Sequence, residues 1–93
     1  MISEQKFKLG ERVSTPGALE AIAAAGDMEI EYLRRHSTGD WGDLSANDKR
    51  LNDQAVKDGD RILSAYTLST GVKIWIITEW DRSVTTTLLP DEY

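Results

Sequence analysis

One stretch of the chain gathers side chains suited to proton transfer: Arg35-His36-Ser37-Thr38-Gly39-Asp40-Trp41-Gly42-Asp43. His36 is the only histidine. Imidazole titrates near neutral pH, which makes His36 the candidate general base or acid. Two carboxylates and a tryptophan follow in a loop flanked by glycines, and rigid scaffolds often present function on such loops. Asp40 and Trp41 are therefore candidate binding residues. An ordinary structural reading stands beside this one: His36 as a favourable cation at a helix C-terminus, Trp41 as a plug at the edge of the core.

A second stretch is Glu79-Trp80-Asp81-Arg82-Ser83, with Thr85, Thr86 and Thr87 beyond it. Arg82 at a hairpin tip could hold phosphate or carboxylate through two parallel hydrogen bonds. Trp80 is of the type that anchors interfaces. The plain reading is that Asp-Arg-Ser makes a turn and threonine suits a strand. Metal chemistry finds little support. One histidine and no cysteine leave only carboxylates, and Asp40/Asp43 and Asp58/Asp60 lack the spacing of a calcium loop. Phosphate-binding loops, dinucleotide fingerprints and nucleophile elbows are not found, so neither metal nor cofactor is expected.

The elements that must position these residues centre on Gly71 to Pro90. This stretch reads as a β-hairpin whose first arm holds the run Ile74-Trp75-Ile76-Ile77. Apolar side chains on both faces of that arm predict a central strand. Ser69-Thr70-Gly71 turns the chain from a preceding strand, Arg61 to Leu68, which makes a three-stranded antiparallel meander. Upstream lie three helical stretches. Thr15 caps and Pro16 opens the first, which runs through Ala18–Ala25 to Gly26. Asp27 is placed to cap the second, Met28 to about His36, with Met28, Ile30, Tyr32 and Leu33 as its apolar positions. Ser45 caps the third, whose apolar stripe of Leu44, Leu51, Ala55 and Val56 is thin. Residues 6–14 read as a short arm bent at Gly10, able to add a fourth strand at an edge. The expected fold is α+β: an antiparallel sheet of three to four strands, with about three helices packed on one face.

Composition narrows the setting. Ninety-three residues make one domain, residues 1–93, with a small core. The hydrophobic fraction of 40% and charged fraction of 29% are those of a soluble globular chain. The absence of cysteine fits a reducing compartment. No apolar run approaches the roughly 20 residues that cross a bilayer, and Met1 to Lys6 does not resemble a signal peptide. A cytoplasmic location without membrane contact is expected. The net charge of −5 disfavours nucleic-acid binding, which draws on clustered Lys and Arg. Six aspartates between Asp40 and Asp60, against Lys49, Arg50 and Lys57, make that stretch a poor bed for phosphate.

Three pieces together carry a resemblance. They are Thr15-Pro16-Gly17-Ala18-Leu19-Glu20-Ala21, Arg35-His36 with Gly39-Asp40-Trp41-Gly42, and Arg61 to Tyr66 running on to Ile74 to Pro90. The chain resembles, over nearly its whole length, a family of small plasmid-related or uncharacterised bacterial proteins. Some members carry the label of a type I restriction endonuclease methylation subunit. A methyltransferase needs a cofactor-binding domain, for which there is no room beside this fold. The resemblance thus implies a bacterial, mobile-element setting and no established activity. Helices followed by a meander also look like the small endoribonucleases related to barnase and RelE. That likeness implies parts for His36, Arg82, Tyr66 and Thr86: His36 as acid or base, Arg82 on phosphorane charge, Tyr66 or Thr86 orienting phosphate. Two functions are thus expected from the sequence. The first is a non-enzymatic binding or accessory module acting through a protein partner, anchored by Trp41 and Trp80. The alternative is a metal-independent ribonuclease.

Overall fold

The computed structural model describes residues 4–93. The elements are β1 (Glu11–Ser14), α1 (Pro16–Ala25), α2 (Glu29–Ser37), α3 (Ala46–Asp58), β2 (Ile62–Thr67), β3 (Lys73–Thr78), β4 (Val84–Leu88) and a short 3-10 turn at Pro90–Glu92. The expected start and stop signals of α1 operate. The Thr15 hydroxyl accepts from the Ala18 N–H at 3.1 Å, Pro16 occupies the first turn, and Gly26 closes the helix in the left-handed region. Ser45 caps α3 in the same way, accepting from the Asp48 N–H at 3.1 Å.

The cap expected at Asp27 is not formed. Met28 holds the cap position of α2 without a side-chain bond. The Asp27 carboxylate instead accepts from the Tyr32 hydroxyl at 2.7 Å, the Ser69 N–H at 2.9 Å and the Ser69 hydroxyl. It thereby ties α2 to the β2–β3 turn. These donors, Ser69 before Tyr32, hold its carboxyl below the usual range. The apolar positions also differ from expectation. Met28 and Ile30 are exposed, while Leu33, His36 and Ser37 are the buried residues of α2. On α3 the buried residues are Asn52 and Ala55, and Leu51 is 56% exposed.

The strand order is β1-β4-β3-β2. The β2–β3–β4 meander is antiparallel, with β3 between the other two as expected. The N-terminal segment supplies the fourth strand over Glu11–Ser14, but parallel to β4, so the sheet is mixed rather than antiparallel. The local chain path explains this direction. The Glu11 N–H donates to Ser83 O at one end and the Thr15 N–H to Thr87 O at the other. Run this way, β1 feeds directly into α1, which packs beside β4.

Strand parity divides the side chains. Ile62, Ser64, Tyr66, Ile74, Ile76, Thr78, Thr85 and Thr87 share the face that meets the helices. Ile22 and Leu33 pack there against Tyr66, Leu68, Ile74 and Ile76. Phe7, Trp41, Ala55 and Ile62 form a second cluster at the other end. The opposite face carries Leu63, Trp75, Ile77, Thr86 and Leu88 in cross-strand register, with Tyr93 edge-on to Trp75 at 5.7 Å.

The outer edge of β2 is closed at Leu63 and Ala65. The Asn52 carboxamide donates to Leu63 O at 2.7 Å and accepts from its N–H at 3.3 Å. Ala65 donates to Trp41 O at 3.2 Å and accepts from the Asp43 N–H at 2.7 Å. Loop 40–43 approaches this closely because of Gly42. Its φ is +76°, and a Cβ there would stand 1.9 Å from Ala65 O. Gly42→Ala is therefore expected to lose at least about 2 kcal/mol in urea unfolding. A loss under about 0.5 kcal/mol would mean that the loop does not depend on this approach.

Candidate functional site

His36 lies on the last turn of α2 and points into the sheet, with 0% of its surface exposed. Each ring nitrogen meets a strand hydroxyl: Nδ1 is 2.5 Å from Ser64 Oγ on β2, and Nε2 is 2.9 Å from Thr78 Oγ1 on β3. Thr78 Oγ1 is in turn 2.7 Å from Thr85 Oγ1 on β4, and Thr85 donates to Leu9 O at 2.6 Å. A carbonyl only accepts, so working back from Leu9 assigns the hydrogens. Thr85 donates to Leu9, Thr78 donates to Thr85, and His36 Nε2–H donates to Thr78. Nδ1 then carries the lone pair and accepts from Ser64. A protonated Nδ1 could also donate to the Ser64 hydroxyl, so it is burial, which penalises charge, that selects the neutral ring.

Burial first, and the Arg82 guanidinium second, push the His36 value down from 6.5 to about 3. His36 is thus neither a helix-end cation nor a base open to substrate. Aromatic rings enclose it further. Phe7 meets it edge-on at 5.2 Å and Trp41 at 6.0 Å, and Phe7 stacks on Trp41 at 6.1 Å.

Arg82 stands in the left-handed region, φ 59°, in the β3–β4 turn. Its guanidinium donates to Asp60 O at 2.6 Å, Ala55 O at 3.0 Å and Glu79 O at 3.2 Å. Ala55 O, in the last turn of α3, also accepts from the Gly59 and Asp60 N–H groups, and Asp60 lies just past the helix, at an end where a cation is favoured. Its carbon lies 5.6 Å from the Phe7 ring. Arg82 therefore braces α3 to the hairpin, with most of its donors engaged.

The remaining candidates separate. Tyr66 is buried and donates to Asp40 O at 2.6 Å, and burial pushes its hydroxyl up. Arg35 lies 4.6 Å over the Tyr66 ring and grips Asp40 at 2.7 Å, which holds the Asp40 carboxyl low. Thr86 sits on the opposite face of the sheet from Thr85, paired with Ile77. The proposed catalytic set of His36, Arg82, Tyr66 and Thr86 is thus not assembled around one accessible point. Trp41 is 3% exposed and donates Nε1–H to Asp53 at 2.9 Å. It is a core side chain, which corrects the expectation of an exposed anchor there. Trp80, 66% exposed, is the aromatic candidate that faces solvent.

Sequence reasoning missed Ser64, Thr78 and Thr85 as a unit. The available signal was strand parity, since each falls on the same face as Ile62, Ile74 or Ile76 and so had to be buried. It also missed Phe7 as the lid over His36. A cleft of about 290 Å³ between α3 and β2 is lined by Leu44, Asp48, Leu51, Asn52 and Leu63, none of them a candidate. Among the described residues no group of three or more His, Asp or Glu could hold a metal ion. No described helix is long and apolar enough to cross a membrane. Comparison with protein-family models, with curated proteins and with solved structures finds no match.

The network carries a pH signature. The folded-state value of His36 lies below the unfolded one, so the unfolded chain binds the proton first as pH falls. The contribution of His36 to stability is complete above about pH 6.5 and is lost as pH falls toward about pH 3, at up to about 1.4 kcal/mol per pH unit. Urea midpoints between about pH 7 and 5 should show this decline in wild type and lose it in His36→Gln. Equal slopes in the two proteins would place the titration elsewhere.

Proposed function

We propose that the chain is a non-enzymatic protein-binding or accessory module, with Trp80 as an anchor for a protein partner. One observation carries this reading. His36 and Arg82, the leading candidates for proton transfer and phosphate binding, are turned inward or bonded within the chain, while Trp80 is left exposed. Aromatic side chains of this kind supply much of the energy at interfaces. The resemblance noted in the sequence agrees with this reading in implying a bacterial, mobile-element setting and no established activity. A cytoplasmic location belongs to this proposal.

The ribonuclease alternative loses its support in the geometry. Transesterification needs a base within hydrogen-bond reach of the 2′-hydroxyl. His36 is fully enclosed, and its lone pair already accepts from Ser64.

Capture of a bacterial protein by the immobilised chain should be lost in Trp80→Ala, with thermal unfolding unchanged. The same preparations should leave labelled RNA intact in EDTA. RNA cleavage by wild type that disappears in a folded His36→Gln variant would overturn the reading.

A further inference from the structure

The two edges of the sheet are treated differently. On β2 the outward N–H and C=O groups of Leu63 and Ala65 are all paired. On β1 the pairing with β4 runs through Glu11 and Thr15, and the parallel alternation turns Arg12 and Ser14 outward. Among the described residues, no group pairs with the main chain of Arg12 or Ser14. An unpaired edge is a template for another strand.

The side chains along this edge are self-complementary. Arg12 and Ser14 share the helix-side face, because their partners in register are Thr85 and Thr87. The Ser14 hydroxyl donates to Glu29, which holds a half-buried carboxylate beside the edge. No ion pair is found for Arg12 among the described residues. Val13 lies between them on the other face, 40% exposed.

We infer that β1 is a self-association edge, pairing antiparallel with β1 of a second copy about a two-fold axis at Val13. In this register Arg12 of one copy stands opposite Ser14 of the other, and the reverse. Both are outward-facing, so each pair exchanges two main-chain hydrogen bonds. Each Arg12 guanidinium is then delivered to the Glu29 carboxylate of the other copy, twice by symmetry. The two Val13 side chains meet on the axis and leave water. The registers that place Arg12 opposite Arg12 set like charges face to face, which disfavours them. The result is a continuous sheet of two four-stranded halves. This inference goes beyond the binding-module reading and does not depend on it.

Sedimentation equilibrium of the full chain over a range of concentrations tests it. Wild type should show a reversible monomer–dimer equilibrium that weakens with added salt. Arg12→Pro removes an outward N–H and leaves the bonds to β4 intact, so it should remain monomeric where wild type is dimeric. Arg12→Glu should weaken the dimer at least about tenfold, and Arg12→Glu with Glu29→Arg should return it to within about threefold of wild type. Thermal unfolding of each variant shows that the monomer is intact. A wild type that is monomeric throughout, or a dimer indifferent to Arg12→Pro, overturns the inference. So does a dimer that the charge exchange fails to restore.

Discussion

A buried imidazole can be tolerated only if both of its nitrogens find partners, and much of this tertiary structure answers that demand. An unsatisfied polar group in the interior costs about 1–3 kcal/mol, a large share of a small domain's stability. Here α2 supplies His36, β2 supplies Ser64, β3 supplies Thr78, β4 supplies Thr85, and the segment before β1 supplies Leu9 O. Five separate parts of the chain must be in place before the last hydrogen bond closes. A one-residue slip of any strand would turn its hydroxyl to the other face and break the relay. The network and the apolar side chains Ile62, Ile74 and Ile76 on the same face thus demand the same register.

The N-terminal arm and the hairpin tip close over this network. The Lys6 N–H donates to Ser37 O at 2.7 Å, which sets Phe7 down between His36, Trp41 and Arg82. Arg82 then reaches the carbonyls of Ala55 and Asp60. A guanidinium bonded to three main-chain carbonyls is well suited to structure and poorly placed for a ligand. The two stretches richest in reactive side chains thus became the braces of the domain. Chemistry-bearing residue types served packing and polar satisfaction, while Trp80 was left exposed.

Edge protection follows the same economy of polar groups. Asn52 presents a carboxamide to Leu63 that mimics a neighbouring peptide, and loop 40–43 does the same for Ala65 with its own backbone. Asn52 is buried on α3 for this reason, in place of the apolar stripe that helical spacing predicts. Leu51 consequently faces solvent.

The sequence by itself determined what depends on near neighbours. Thr15-Pro16 and Gly26 bound α1, Ser45 caps α3, Gly71 turns the hairpin, and the two-faced apolar run makes β3 central. Each of these rests on a cap, a left-handed residue or a period, physical signals a few residues long. Only the tertiary structure decided the rest. Whether Asp27 caps a helix or binds Ser69 depends on a residue 42 positions away. The parallel course of β1 depends on where the edge of β4 lies. The role of His36 depends on three hydroxyls and a carbonyl that no local pattern brings together. The same imidazole would be a base in water; enclosed here it stays neutral, because burial penalises its charge and the Arg82 guanidinium opposes it.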